Sequence, residues 1–311
     1  MILTLVLLVL GLALVVFGSD ILVDGASTVA RKLGISEFVI GLTIVGFGTS
    51  CPELVVSLNG AISGSADISI GNVLGSNIFN TLLILGITAV LRPIAISSEN
   101  KRRDIPVLLA VTLLFICFCL KGSIGRIAGI GFLLLFAGYI VLSFKGNKGS
   151  EPVQEEGKTT PLWLSILMIA GGLAGLVIGG KLFVNNAVAI ATAAGVSEKF
   201  IAVTLLAGGT SLPELATCVV AAVKKKGALA LGNIIGSNIF NILLILGCSA
   251  IITPLSTKGM SYVDLGVLLA STLLVLISSL TGKKKDSVDR LDGTLMLLVE
   301  AAYLVYLFIK L

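Results

Sequence analysis

Two glutamates lie inside long apolar stretches of the sequence, and each belongs to the same short motif. Gly48–Glu53 (GTSCPE) recurs as Gly209–Glu214 (GTSLPE). The proline of each copy lacks an N–H and crowds the carbonyl four residues earlier, so we expect it to break the helix and free main-chain oxygens. Among membrane helices such oxygens persist only where they line a cavity or bind something, and a carboxylate there is functional by default. Two carboxylates with carbonyl oxygens would supply the hard ligands that Ca²⁺ prefers.

A second polar motif also occurs twice. Gly71–Asn80 (GNVLGSNIFN) recurs as Gly232–Asn241 (GNIIGSNIFN). In each copy a serine and the final asparagine are four residues apart and share a helix face, where they offer neutral oxygens suited to a monovalent ion. The two glycines of each copy are also four apart, which predicts a face for close helix packing. The four polar side chains are Ser76, Asn80, Ser237 and Asn241.

Both motifs belong to one long internal repeat, found by shifting the sequence by 161 residues. Ile35–Leu54 aligns with Val196–Leu215 at 10 of 20 identical positions, and Ile68–Gly86 aligns with Leu229–Gly247 at 13 of 19. Identity at this level without gaps indicates two copies of one structural unit.

Composition places that unit in a membrane. Hydrophobic residues make up 56% of the chain, charged residues 13%, and the mean hydropathy is +1.09. A soluble domain carries about 25% charged residues, so most of this chain contacts lipid and must close its backbone hydrogen bonds as helices. The 36 glycines and few aromatics argue against a porin-type barrel. The net charge of +5 comes from short basic clusters between apolar runs, which indicate topology signals and not a nucleic-acid partner.

We therefore predict an all-α integral membrane protein with ten transmembrane helices in two five-helix repeats. The predicted units are residues 1–144, a cytoplasmic linker at 145–161 and residues 162–311. The predicted spans are 2–24, 36–62, 68–91, 104–120, 126–144, 162–185, 197–223, 228–253, 262–280 and 291–309.

The basic residues predict how the chain crosses the membrane. If the N-terminus is outside, the inner loops carry 16 Lys and Arg and the outer loops and terminus carry 5. This bias predicts that both termini are outside. Because five helices is an odd number, the second repeat would then be inverted. Inverted repeats with broken helices are the usual plan of secondary transporters, with the site between the repeats near the midplane.

The motifs resemble those of the cation/Ca²⁺ exchanger superfamily, whose two alpha repeats carry G-[TS]-S-x-P-[ED] and G-S-x-x-x-[ND] signatures. Within it, the chain looks like the Na⁺/Ca²⁺ exchanger branch, close to its compact prokaryotic members. The H⁺/Ca²⁺ branch has its acidic residue in a G-N-x-x-E context, which is absent at these breaks.

The resemblance implies a set of ion ligands. The two glutamates and the threonine carbonyls would bind Ca²⁺. Na⁺ would use the same glutamates with the motif serines and two carbonyls, and the two asparagines would lie centrally. In order, the implied residues are Glu53, Glu214, Thr49, Thr210, Ser50, Ser211, Ser76, Ser237, Gly46, Ala207, Asn80 and Asn241. Some relatives, including K⁺-dependent exchangers, carry Asp in place of Asn241.

The resulting expectation is a secondary antiporter, not an enzyme, that exchanges Ca²⁺ for Na⁺ by alternating access. The superfamily's Na⁺ exchangers move three Na⁺ per Ca²⁺, so transport should be electrogenic, and it should not need K⁺. We expect a monomer in the plasma membrane, with lipid as its surroundings and no cofactor beyond the transported ions. H⁺/Ca²⁺ antiport on the same scaffold is the nearest alternative, and a Ca²⁺-permeable channel is a further one.

Overall fold

The computed structural model describes residues 2–145, 160–196, 207–257, 260–281 and 286–310, apart from the side chains of Ala66 and Ala207. In this part of the chain the fold is helical, with four two-residue strands. The helices before the linker are α1 (Ile2–Leu33), α2 (Glu37–Ile40), α3 (Gly46–Thr49), α4 (Cys51–Ile62), α5 (Ala66–Phe79), α6 (Leu85–Leu91), α7 (Ile105–Lys121) and α8 (Arg126–Lys145). Those after it are α9 (Leu162–Ala193), α10 (Ala207–Thr210), α11 (Leu212–Val223), α12 (Gly227–Phe240), α13 (Leu246–Ile252), α14 (Tyr262–Thr281) and α15 (Arg290–Lys310).

Several helices are joined without a loop, through a π-helical turn. Two of these turns begin at motif asparagines and join α5 to α6 and α12 to α13. Among the described residues the π-helical turns are Gly41–Val45, Asn80–Ile84, Asn100–Asp104 and Asn241–Ile245. A π-helical turn places one extra residue in the helix and is frequent at functional sites.

Eight helical segments of the described chain are long and apolar enough to cross a membrane. The pair Glu37–Thr49 and Cys51–Ile62, which is bent by 48°, makes a ninth if it is counted as one span. Helix α11 is apolar but shorter, and the predicted span at 197–223 lies partly outside the described residues. The predicted helical membrane fold is thus confirmed, whereas the count of ten stays a prediction.

The two motif-bearing segments form the centre of the molecule. In the 18-residue apolar stretch of Asp67–Leu91, 72% of the segment is buried, and in that of Gly227–Ile252, 83% is buried. The corresponding share in the other single spans is 17–39%. The outer helices instead expose large apolar side chains such as Ile127 and Leu134 on α8. This distribution suits a protein whose periphery faces lipid.

Glycines let the central helices touch through their backbones. A Cβ added to Gly232 would lie 2.1 Å from the Phe38 carbonyl oxygen, and one added to Gly236 would lie 2.4 Å from that of Leu42. The predicted close-packing face therefore exists on α12. No described atom lies within 4 Å of a Cβ added at Gly71 or Gly75. In the second repeat, the residues that correspond to Phe38 and Leu42 fall within 197–206, outside the described part of the chain.

Long-range contacts pair the first half of the chain with the second. Strand β1 (Ile94–Ala95) pairs antiparallel with β4 (Ser287–Val288), and β2 (Ser123–Ile124) pairs antiparallel with β3 (Leu255–Ser256). Helices α1 and α9 also cross closely, since a Cβ on Gly172 would lie 2.7 Å from the carbonyl oxygen of Gly18. The two halves are therefore packed against each other over much of their length.

Candidate ion-binding site

The helix breaks occur where the proline motifs predicted them. Ser50 separates α3 from α4 with φ −83° and ψ 6°, and Ser211 separates α10 from α11 with φ −88° and ψ 7°. In both copies the proline occupies the first turn of the helix after the break, where its missing N–H costs nothing. The break places each glutamate in the first turn of a new helix, whose N-terminus favours negative charge.

The two glutamates are held by serines of the opposite motif copy. Both carboxylates are buried, each with 1% of the residue exposed. Ser211 Oγ donates a hydrogen bond to Glu53 Oε1 at 3.1 Å, and Ser50 Oγ donates one to Glu214 Oε1 at 2.9 Å. In the described part of the chain, Oε2 of each glutamate has no hydrogen-bond partner and neither carboxylate forms an ion pair. Each carboxylate is thus held through Oε1, while Oε2 is left available to bind an ion.

The two site asparagines are oriented in the same way. Asn80 Nδ2 donates to Asn238 Oδ1 at 3.2 Å, and Asn241 Nδ2 donates to Asn77 Oδ1 at 2.9 Å. The Oδ1 atoms of Asn80 and Asn241 are buried and have no partner among the described residues. Because each amide nitrogen is engaged by its neighbour, each amide presents an oxygen, which is the atom that binds a cation.

Several of the predicted ligands donate or accept hydrogen bonds inside the protein. Thr49 Oγ1 donates to Asn233 Oδ1 at 3.1 Å. The Gly46 carbonyl accepts from Ser50 N at 3.1 Å and lies 3.5 Å from Ser237 Oγ. Backbone and hydroxyl oxygens at these places have further lone pairs, so these bonds hold them in position without removing them as ligands. Ala207 begins α10, just before the second break.

The remaining donor set fits a cation. Buried polar atoms normally have hydrogen-bond partners, yet six atoms of this region have none in the described chain. They are Glu53 Oε2, Ser76 Oγ, Asn80 Oδ1, Thr210 Oγ1, Glu214 Oε2 and Asn241 Oδ1. All six are oxygens and two carry negative charge, which matches the hard, oxygen-only coordination of Ca²⁺. No group of three or more His, Cys, Asp and Glu side chains that could hold a metal occurs in the described chain. A set of two carboxylates with neutral oxygens suits an ion that must also be released.

Comparison with known proteins identifies the family. The sequence model described as sodium/calcium exchanger protein matches residues 3–145 and 164–311. The chain belongs to this family. The putative antiporter CaxA of Alkalimonas amylolytica is 41% identical to this chain, over 97% of this chain and 98% of the length of CaxA. The sodium/calcium exchanger MaX1 of Methanosarcina acetivorans is 36% identical over 97% of both chains.

A solved structure shares the fold of the exchanger. The sodium-calcium exchanger NCX_Mj, soaked with 2.5 mM Na⁺ and 0.1 mM Ca²⁺, superimposes with a TM-score of 0.85 at 32% identity, covering 98% of each chain. The resemblance that the motifs indicated is thus confirmed, and the exchanger is a multi-pass membrane protein of the cation/Ca²⁺ exchange class.

Sequence reasoning missed the residues that orient the predicted ligands of the exchanger. Asn77 and Asn238 hold the two site amides, and Asn238 Nδ2 is itself fixed by donating to Thr81 Oγ1 at 2.8 Å. Asn72 supports the first glutamate, because its Nδ2 donates to the main-chain oxygen of Glu53 at 3.1 Å. A signal was available, since all three asparagines are identical in both motif copies. Their roles were hidden because each contacts a different helix from its own.

Proposed function

We propose that the exchanger carries Ca²⁺ in one direction and Na⁺ in the other by alternating access, with three Na⁺ moved per Ca²⁺. The observation that carries this proposal is the pair of buried carboxylates, Glu53 and Glu214, each with one free oxygen. Together they bring a charge of about −2 to the site, and no described Lys or Arg forms an ion pair with either of them. One Ca²⁺ or two Na⁺ neutralise that charge, and a third Na⁺ would bind through the neutral oxygens. The similarity to MaX1 and NCX_Mj, which are named as sodium–calcium exchangers, supports the choice of ions.

Coupling of the two fluxes follows from the cost of an empty site. Two uncompensated carboxylates inside a membrane are expensive, so the carrier should reorient only when it is loaded. The Na⁺-loaded site would carry a charge of about +1, which makes transport electrogenic. The ions are substrates that bind and leave, and no further cofactor enters this cycle.

We also propose that transport does not require K⁺. Asn241, at the position where K⁺-dependent relatives carry Asp, has a neutral amide whose oxygen is free in the described chain. It contributes no third carboxylate, so the site charge stays near −2. An Asn241→Asp variant would place a third acid beside the two glutamates and should be inhibited more strongly than the parent at mildly acidic pH.

The arrangement proposed for this cycle is a monomer in the plasma membrane with both termini outside. It comprises inverted five-helix repeats at 1–144 and 162–311 and a cytoplasmic linker at 145–161. Single cysteines at positions 151 and 225, in a background without the five native cysteines, should react only with reagents that enter the cell. Labelling by an impermeant reagent in intact cells would contradict this topology.

Ion coupling is tested with purified exchanger in proteoliposomes. Radioactive Ca²⁺ uptake should be driven by internal Na⁺, without K⁺, and should slow when valinomycin and a K⁺ gradient make the interior negative. Uptake driven only by a proton gradient would instead support H⁺/Ca²⁺ antiport through the same glutamates. Uptake that needs no counter-ion and follows voltage would support a channel.

A further inference from the structure

A cavity of about 520 Å³ lies beside the two helix breaks. Its walls include Pro52 and Pro213, which precede the site glutamates, and Thr210, whose hydroxyl is buried and free in the described chain. Asn72, which also borders the cavity, donates a hydrogen bond to the main chain of Glu53. The cavity is therefore adjacent to the ligand set and provides a route to it.

Among the described residues that line the cavity, one carries a charge. Lys181, on α9, lines the cavity, and no described residue forms an ion pair with it. In the proposed topology the cavity lies on the extracellular side, because α4 runs outward from the break and α9 runs outward toward Ala193. An ion that enters from outside would thus pass an ammonium group before it reaches the carboxylates.

The equivalent position in the other repeat has the opposite charge. Asp20 precedes Lys181 by one repeat length of 161 residues. Asp20 forms an ion pair with Lys224 at 2.7 Å, and Asp24, one helix turn later, forms another with the same lysine at 2.7 Å. The repeat counterparts of Asp24 and Lys224 are Asn185 and Ser63, which carry no charge. The ion pairs of Asp20 and Asp24 therefore have no equivalent around Lys181 in the second repeat. No described residue pairs with Lys181, so its charge does not serve the same structural purpose.

We propose that Lys181 is a specificity-determining residue that makes the extracellular entrance favour Na⁺ over Ca²⁺. The proposal rests on the function and topology proposed above. The work of bringing an ion toward a fixed charge is proportional to the charge of the ion, so Lys181 opposes Ca²⁺ twice as strongly as Na⁺. A cleft with apolar walls focuses such a field. Ca²⁺ released outside would rebind less readily, while Na⁺ entry would be slowed much less, and this difference favours Ca²⁺ export.

Lys181→Gln removes the charge, Lys181→Glu reverses it, and Lys181→Arg keeps it. The assay is exchange of radioactive for unlabelled Ca²⁺ in vesicles of known orientation, which needs no Na⁺ coupling, with Ca²⁺ varied on one face at a time. Lys181→Gln should lower the KM for extracellular Ca²⁺ by about threefold to tenfold, and Lys181→Glu should lower it further. With extracellular Ca²⁺ held well below its KM, the concentration of external Na⁺ that half-inhibits uptake should fall by only about the square root of that factor. The KM for internal Ca²⁺ should not change.

Two controls separate charge from packing. Lys181→Arg and Lys310→Gln, the latter at the far end of α15 and outside the cavity lining, should both behave as the parent. The effect of Lys181→Gln should also shrink when ionic strength is raised with choline chloride, because salt screens an exposed charge.

The outcomes distinguish this proposal from the function on which it rests. If Ca²⁺–Ca²⁺ exchange is intact but Lys181→Gln leaves the KM unchanged at both faces, or changes Ca²⁺ and Na⁺ by the same factor, the role of Lys181 is refuted and Na⁺/Ca²⁺ exchange is untouched. If Lys181→Arg resembles Lys181→Gln, the side chain acts through packing, and the proposal is wrong. If the KM falls at the internal face instead, the charge effect stands and the proposed topology is wrong.

Discussion

Asn238 contacts a proposed ligand, Asn80, but is not one itself. Asn238 is 2% exposed, accepts a hydrogen bond from Asn80 Nδ2 and donates one to Thr81. In Asn238→Ala, the Asn80 amide loses the partner that points its oxygen toward the site. One intramolecular hydrogen bond contributes a net free energy of about 0.5–1.5 kcal/mol. Since about 1.4 kcal/mol corresponds to a tenfold change in affinity, the dissociation constant for Ca²⁺ should rise by about twofold to tenfold.

The measurement is Ca²⁺ binding to purified protein in detergent, by isothermal titration calorimetry. Thr81→Val is the matched control, because it removes the hydrogen bond that Asn238 Nδ2 donates and leaves the Asn80 contact in place. It should lower the melting temperature while changing the dissociation constant by less than about twofold.

A double-mutant cycle tests whether Asn238 acts through Asn80. In an Asn80→Ala background, adding Asn238→Ala should have no further effect on the dissociation constant. The reasoning fails if Asn238→Ala binds Ca²⁺ as tightly as the parent. It also fails if the two substitutions weaken binding additively, since Asn238 would then affect the ion by some other route.

Glu53→Gln keeps the side-chain shape but removes one of the two site charges, so Ca²⁺ transport in proteoliposomes should be almost abolished while the protein elutes normally from size-exclusion chromatography; substantial transport would mean that the ion binds elsewhere. In Gly172→Ala the new Cβ would lie 2.7 Å from a carbonyl oxygen of α1, so the variant should lose about 1–3 kcal/mol of stability in thermal unfolding. Gly171→Ala, with no described atom within 4 Å of its Cβ, should be near neutral. Equal losses in the two variants would refute the packing argument. Lys224→Gln removes two partly exposed ion pairs and should cost no more than about 1 kcal/mol, with a difference in melting temperature that narrows at high salt; a cost that is independent of salt would point to packing.

The sequence predicts those features of the fold that arise from local chemistry or from duplication. The apolar runs predict the membrane helices, and Pro52 and Pro213 predict the breaks because a proline acts on its own helix. The shift of 161 residues also indicates that the two acidic motifs are equivalent. By contrast, the reciprocal bonds from Ser50 to Glu214 and from Ser211 to Glu53 depend on how two helices meet, and no spacing within one helix reveals them.

Other features escape sequence reasoning for different reasons. The strands have two residues each, too few for any alternation of polarity to show. Helix α1 continues to Leu33, beyond the predicted end at residue 24. Asp20 and Asp24 interrupt the apolar run but pair with Lys224, which directly follows α11, so their charges are matched within the fold. The ion pairs and the strand pairs both depend on tertiary contacts, which the local pattern does not record.

The strand pair between β1 and β4 has a consequence for biosynthesis. Ala95 pairs with Ser287, and the two residues are separated by about 190 positions in the chain. At a synthesis rate of roughly 5–20 residues per second, β1 waits roughly 10–40 s for its partner to be made. During that time its edge is unpaired, and α6 lacks the neighbour that approaches Gly86 closely at Gly293. The early helices must therefore remain in the bilayer partly assembled until β4 and α15 have been made.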